Sequence, residues 1–312
     1  MANEHKHDHV HGHSQVQSQG HNHGHHHVDP NAGDARIAAA IGVNLLLTLA
    51  QIVGGVISGS MALIADAIHN LSDAISLVIA FGARKLARRP RDGEMTFGYG
   101  RAEIVAAMVN YITLIVISLY LLSEGVSRFF APPDVQGWIV VWVAGVALVI
   151  DLVTAALTYA LSKESLNIRA AFLHNLADAF TSVAVIVAGA LILLYDWRLA
   201  DPIITIAISL YILWHALVEI RPVIRILMLG APVGVDAETV TEAIEGLDGI
   251  EGVHHLHLWQ IDEHRTSVEA HVVTAIAPAA ALGGIKAMLK ERFAINHSTF
   301  EVEVPGQDCA GE

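Results

Sequence analysis

The 312 residues are 54% hydrophobic and only 16% charged, with a mean hydropathy of +0.50, whereas a soluble chain carries about 25% charged residues. The apolar residues are gathered into long unbroken blocks, which points to a membrane protein. A formal net charge of −13 leaves no basic face for nucleic acid, and the lone Cys309 excludes an intramolecular disulfide.

Residues 1–33 form a low-complexity tail that holds ten of the 19 histidines, His5, His7, His9, His11, His13, His21, His23, His25, His26 and His27. Gly, Ser, Gln and Asn lie between them, so the tail has no apolar face to bury and reads as disordered. It also lacks the basic and apolar regions of a signal peptide. Imidazoles at this density suit loose, multi-site binding of Zn, Cu or Ni.

Six apolar segments are expected next, at about 35–57, 62–83, 102–123, 137–161, 169–194 and 201–227. Each is close to the ~20 residues that a helix needs to cross a bilayer. The link between the second and third is long and basic, and its flanks and body carry Arg84, Lys85, Arg88, Arg89, Arg91 and Arg101. Lys163, Arg169, Arg221 and Arg225 fall on the same side, against only Arg128 and Arg198 on the other. The positive-inside rule then places both termini in the cytoplasm.

From about Ala231 the chain changes character, with 14 acidic residues against Arg265, Lys286, Lys290 and Arg292. The pattern predicts a helix over 236–246, strands over 252–262 and 266–275, a helix over 279–293 and a strand over 298–304. Val268, Ala270 and Val272 alternate with Glu269 and His271 as a half-buried strand should. The domains are therefore a tail (1–33), a six-helix transmembrane bundle (34–230) and a small cytoplasmic α+β domain (231–312).

The chemistry is concentrated in the second and fifth segments. Ile68-His69-Asn70-Leu71-Ser72-Asp73-Ala74 returns nearly letter for letter as Leu173-His174-Asn175-Leu176-Ala177-Asp178-Ala179. His and Asp at i and i+4 share a helix face, so each helix presents one imidazole and one carboxylate to the same side. Ionisable groups in a membrane helix cost about 2.5–3.5 kcal/mol each and mark function. A single such pair could serve helix packing, but two facing pairs enclose two nitrogen and two oxygen ligands. That set suits tetrahedral Zn²⁺, with Co²⁺ and Cd²⁺ as competitors.

Asp66 lies on nearly the same face and reads either as a group that orients a ligand or relays protons, or as one facing the outer water. No role is assigned to Asn44, Gln51, Asn110, Glu124, Asp151, His215 or Glu219. There is no His-Glu-x-x-His motif and four protein ligands leave no open position for water, so a metalloenzyme is not expected. No P-loop is present, so an ion gradient is the expected driving force. Neutral imidazole and ionised carboxylate are needed to bind metal, and histidine's ordinary pKa is about 6.5, so loading releases protons.

The chain resembles the cation diffusion facilitator family over about residues 36–304. The residues that carry the resemblance are the two His-x₃-Asp motifs, Phe97-Gly98-Tyr99-Gly100-Arg101-Ala102-Glu103, and Val253-His254-His255-Leu256-His257-Leu258-Trp259. The resemblance implies a homodimer in a bacterial inner membrane, export of zinc from the cytoplasm in exchange for protons, and a ferredoxin-like, metallochaperone-like C-terminal domain that also binds metal. By motif match the ligands there are His254, His271 and Glu301. His255, His257 and Trp259 are expected on the face opposite His254. Some relatives carry histidines before the third segment, where this chain reads Asp92-Gly93-Glu94-Met95-Thr96-Phe97-Gly98-Tyr99, so no tight site is expected there.

Overall fold

The computed structural model describes residues 34–87, 89–161 and 166–306; several side chains inside the helices, Asp73 among them, also fall outside that description. The expectations for the histidine-rich tail and Cys309 lie outside the described residues. Six long helices come first: α1 (Asp34–Ser58), α2 (Met61–Ala87), α3 (Arg101–Phe130), α4 (Gly137–Leu161), α5 (Leu166–Tyr195) and α6 (Ala200–Leu227). Among the described residues α3, α4, α5 and α6 are long and apolar enough to cross a membrane, and α1 adds the apolar stretch Gly42–Ser58. The apolar run of α2 is broken by Asp66, His69 and Asp73.

Small residues let the helices approach closely. Ala62, Leu63 and Ala65 of α2 are buried with Leu114 and Leu121 of α3, Val140 and Ala144 of α4, Val185 of α5, and Ile208 and Ala216 of α6. The outer faces are apolar too: Trp142 and Leu194 are each 71% exposed. Large apolar side chains spread over the outside in this way suit a hydrocarbon solvent, and the chain is a multi-pass membrane protein.

The third helix runs seven residues past its expected end. Glu124 and Arg128 look like a boundary in sequence, but they pair within the helix at 2.7 Å, and Arg128 Nη1 donates to the carbonyl of Gly59 at 2.7 Å. Gly59 turns the chain between α1 and α2 at φ 76°, a conformation that glycine adopts without steric cost.

The start of α2 is fixed from α6. Buried Asp201 accepts from the backbone N–H of Met61 (3.0 Å) and Ala62 (3.3 Å), and from the Ser60 hydroxyl. Ser60 Oγ in turn accepts from the N–H of Leu63 at 3.1 Å. Three otherwise orphaned donors of the first turn are thereby satisfied, where one capping bond is worth about 1 kcal/mol. This sets the axial position of the helix that carries His69.

The C-terminal domain runs α7 (Ala237–Glu245), β1 (Ile250–Gln260), β2 (Thr266–Thr274), α8 (Pro278–Phe293) and β3 (His297–Glu303). β2 pairs antiparallel with β1 and parallel with β3, giving the order β1-β2-β3. This is the ferredoxin-like order without its first strand. Val240 and Ile244 of α7 and Ile285 and Leu289 of α8 cover one face of the sheet, packing on Leu258, Val268 and Val272. The opposite face carries His254, His271, Glu301 and Glu303.

Candidate metal centres

His69 of α2 is brought against the His-x₃-Asp pair of α5. His69 Nε2 stands 3.0 Å from Asp178 Oδ1, and His174 Nε2 stands 3.4 Å from Asp178 Oδ2. One carboxylate thus bridges two imidazoles whose rings are 5.8 Å apart and inclined at 62°. His69 and Asp178 are buried and His174 is partly so. A nitrogen from each histidine and an oxygen from Asp178 lie within 4.8 Å of one another, close enough to share one cation. Asp73, the fourth expected ligand, is one helical turn beyond His69 on α2; its side chain lies outside the described residues.

The surroundings add carboxylates and amides. Asp66 is buried rather than turned to the outer water, and Gln51 Nε2 of α1 donates to its Oδ2 at 2.6 Å. Asn70, the neighbour of His69, donates to Gln51 Oε1 at 3.0 Å, so α1 grips α2 on both sides of the histidine. On α4, Asp151 accepts from Ser182 Oγ of α5 at 3.0 Å. Tyr211 of α6 sets its ring 5.8 Å from that of His69. Asn110 donates to Ser72 Oγ at 3.3 Å, so it bridges α3 and α2. Asp151 and Tyr211 were not singled out as site residues from sequence; nothing in the pattern of α4 or α6 marks which polar residue turns inward.

The charge balance gives the cluster its chemistry. Residues 61–83, 137–161 and 170–195 contain Asp66, Asp73, Asp151 and Asp178 but no lysine or arginine. Those stretches carry no lysine or arginine to neutralise their carboxylates, and a divalent cation among them does so directly.

A second cluster stands on the open face of the C-terminal sheet. His254 pairs with His271 across β1 and β2, and His271 pairs with Glu301 across β2 and β3. His254 Nε2 is 3.3 Å from Glu303 Oε2, and His271 Nδ1 is 2.8 Å from Glu303 Oε1. His254, His271 and Glu303 therefore form the convergent group. Glu301 points to the same face but is 67% exposed at its side chain, with Oε2 3.6 Å from His271 Nε2. The alternation of β3 puts both glutamates on one face, and which one closes on the histidines depends on the sheet's twist.

The expected alternation along β1 is overturned by a bulge. Between His254 and His257 three residues of β1 oppose the two steps from His271 to Glu269, and His255 takes a left-handed φ of 49°. One extra residue reverses the parity of everything after it. His257 pairs with Glu269 and Trp259 with Ser267, so both lie on the face of His254 rather than opposite it. His255 is turned in as well, with its ring 5.2 Å from His254 and 5.1 Å from His271.

The donor set fits a metal. His254 Nε2 is shielded from solvent and makes no hydrogen bond, although it sits beside a carboxylate oxygen. A buried imidazole nitrogen without a hydrogen-bond partner is costly, and coordination of a cation removes the cost.

Comparison with known proteins gives the family. The family model described as the cation efflux transmembrane domain matches residues 37–228, and that described as the cation efflux protein cytoplasmic domain matches residues 232–304. The metal cation efflux system protein CzcD of Cupriavidus metallidurans is 34% identical over 88% of each chain. The zinc transporter ZitB of Escherichia coli is 35% identical, over 88% of this chain and 90% of its own. A cadmium, cobalt and zinc/H⁺-K⁺ antiporter of Bacillus subtilis is 36% identical over 72% of each.

Proposed function

We propose that this chain, which belongs to the cation efflux family, exports Zn²⁺ from the cytoplasm, with Co²⁺ and Cd²⁺ as alternative substrates, in exchange for protons. The observation that carries the reading is the convergence of His69, His174 and Asp178 between two membrane helices. The names of the curated relatives, a zinc transporter and a cadmium, cobalt and zinc antiporter, support the choice of substrate. Asp73 completes a tetrahedral set of two nitrogens and two oxygens around the transported ion. The membrane is the bacterial inner membrane, with both termini in the cytoplasm, and the working unit is a homodimer.

The same atoms account for the exchange with protons. Asp178 offers one oxygen to each imidazole, so the same lone pairs that hold Zn²⁺ hold shared protons in its place. Metal and protons then exclude each other at one site, which is the requirement for exchange. Facing the cytoplasm the site loses protons and takes the ion; facing a more acidic exterior it takes protons and releases it.

Among the described residues α2 and α5 touch each other only sparsely, whereas α4 packs extensively on α5, α3 on α6 and α1 on α2. Parting α2 from α5 therefore breaks little packing while it dismantles the ligand set. Alternating access needs this kind of interface around a fixed site.

In the C-terminal domain His254, His271 and Glu303 would hold a resident Zn²⁺, with Glu301 as an outer carboxylate. Such an ion would tie β1, β2 and β3 together across the open face of the sheet.

Purified protein in liposomes tests the reading. Zn²⁺ added outside should enter and drive protons the opposite way, with Co²⁺ and Cd²⁺ following and Mn²⁺ poorly transported. Binding of Zn²⁺ without any flux would identify a metal sensor and overturn the assignment.

A further inference from the structure

A cavity of 810 Å³ opens where the loop between α2 and α3 meets the turn between β1 and β2. Arg89, Arg91 and Phe97 line it from the loop, and His264, Arg265 and His297 from the C-terminal domain. Its size falls within the range of small-molecule sites.

Specific bonds between the two regions hold its walls. Arg265 Nη2 donates to the Phe97 carbonyl at 3.1 Å, and the Phe97 ring meets that of His297 at 5.6 Å. Arg101 donates through Nε to the Ile261 carbonyl at 2.9 Å and through Nη2 to that of Gln260 at 3.3 Å. Loop and domain thus form one built concavity.

The charge in it is unlike the rest of the chain. Asp262 lines the cavity but is engaged by Arg265 at 2.6 Å and by the backbone N–H groups of His264 and Arg265. Arg89 stacks on Tyr99 and stands 3.4 Å from Asp92. The Tyr99 hydroxyl, donating at 2.6 Å, holds the Asp92 carboxyl below the usual range, so that group is ionised and offsets one guanidinium. Of the three guanidiniums in the lining, Arg265 and Arg89 are each offset by a carboxylate, and Arg91 makes no ion pair among the described residues. The imidazoles of His264 and His297 add donors. In a chain of net charge −13 this concave surplus of positive charge calls for an anion.

We infer that this cavity binds a phosphate-bearing anion, gripped by Arg89 and Arg91 from the loop and Arg265 from the domain. Guanidinium groups match a tetrahedral oxyanion with paired, charge-assisted hydrogen bonds. The cavity lies beside the ends of two membrane helices, so two sources share this chemistry: an anionic phospholipid headgroup and a soluble phosphate.

Full-length protein distinguishes them. In one arm, protein in phosphatidylcholine nanodiscs with and without phosphatidylglycerol is released and weighed intact to count retained phosphatidylglycerol. In the other, inorganic phosphate is titrated onto detergent-solubilised protein at constant ionic strength, with chloride as the control, and the thermal midpoint is read. Binding should appear in at least one arm, and Arg91→Gln and Arg89→Gln, both on the exposed loop, should each weaken it about tenfold or more. Lys290→Gln on α8, the same change in charge outside the cavity lining, should leave it unchanged. Binding in neither arm, or equal loss with Lys290→Gln, overturns the inference.

Discussion

Two imidazoles and a carboxylate meet twice in this chain, on different scaffolds. In the membrane, His69, His174 and Asp178 come from two helices that touch only sparsely among the described residues. In the C-terminal domain, His254, His271 and Glu303 come from three hydrogen-bonded strands whose spacing is locked by the ladder. A site built across a sparse contact can be opened; one built across a sheet cannot be opened without breaking the sheet. The same ligands therefore suit a travelling ion in the first place and a resident ion in the second.

The comparison is broken most severely at the membrane site. Asp178→Ala, and separately Asp73→Ala, should reduce Zn²⁺ flux in liposomes to the protein-free background, because the remaining ligands cannot replace the ion's hydration. Size-exclusion profiles should stay those of folded protein. Near-normal flux from either variant removes that residue from the transported ion's shell.

A change of ligand type sharpens the contrast. His69→Asp or His174→Asp makes the membrane set harder, and preference should move from Zn²⁺ toward Cd²⁺ or Mn²⁺. Competition flux assays read the ratio, and an unchanged ratio would show that the imidazoles do not touch the ion.

At the sheet, Glu303→Gln should weaken Zn²⁺ binding to the C-terminal domain by more than the roughly 10–100-fold typical of an outer partner, and Glu301→Gln by that amount or less. Calorimetry on the chain lacking residues 2–33 and carrying Asp178→Ala isolates this site. The reverse order would make Glu301 the ligand. Transport at saturating Zn²⁺ should survive both changes if the two sites have separate tasks.

The smallest effect is expected at the histidine-rich tail. Deleting residues 2–33 should leave the maximal rate unchanged and raise the Zn²⁺ concentration that gives half of it, because a tethered, loose binder acts through local concentration. A lost maximal rate would make the tail part of the translocation path.

How far the sequence reached differs between the two sites for a physical reason. Helical geometry converts spacing into direction, so His-x₃-Asp on two apolar segments was enough to mark His69, His174 and Asp178, which the structure brings together. The six long helices and the α-β-β-α-β order of the C-terminal domain were legible on the same ground, from apolar length and period. The run of α3 to Phe130 was missed because Glu124 and Arg128 satisfy each other and Gly59 inside the bundle, a contact that no local pattern announces.

Strands follow a period of two only while nothing is inserted. The bulge at His255 carries His257 and Trp259 to the face of His254, and no residue type in Val253–Trp259 signals it. The choice between Glu301 and Glu303 was likewise left to the pairing and twist of β3 against β2. The amino-acid sequence by itself determined the membrane class and the duplicated helical motif, since each depends on composition or on spacing along one element. Only the tertiary structure decided that Gln51 grips Asp66, that Asp201 sets the start of α2, and that Asp151 and Tyr211 join the site, because those contacts span helices whose relative rotation is fixed by packing and not by any local pattern.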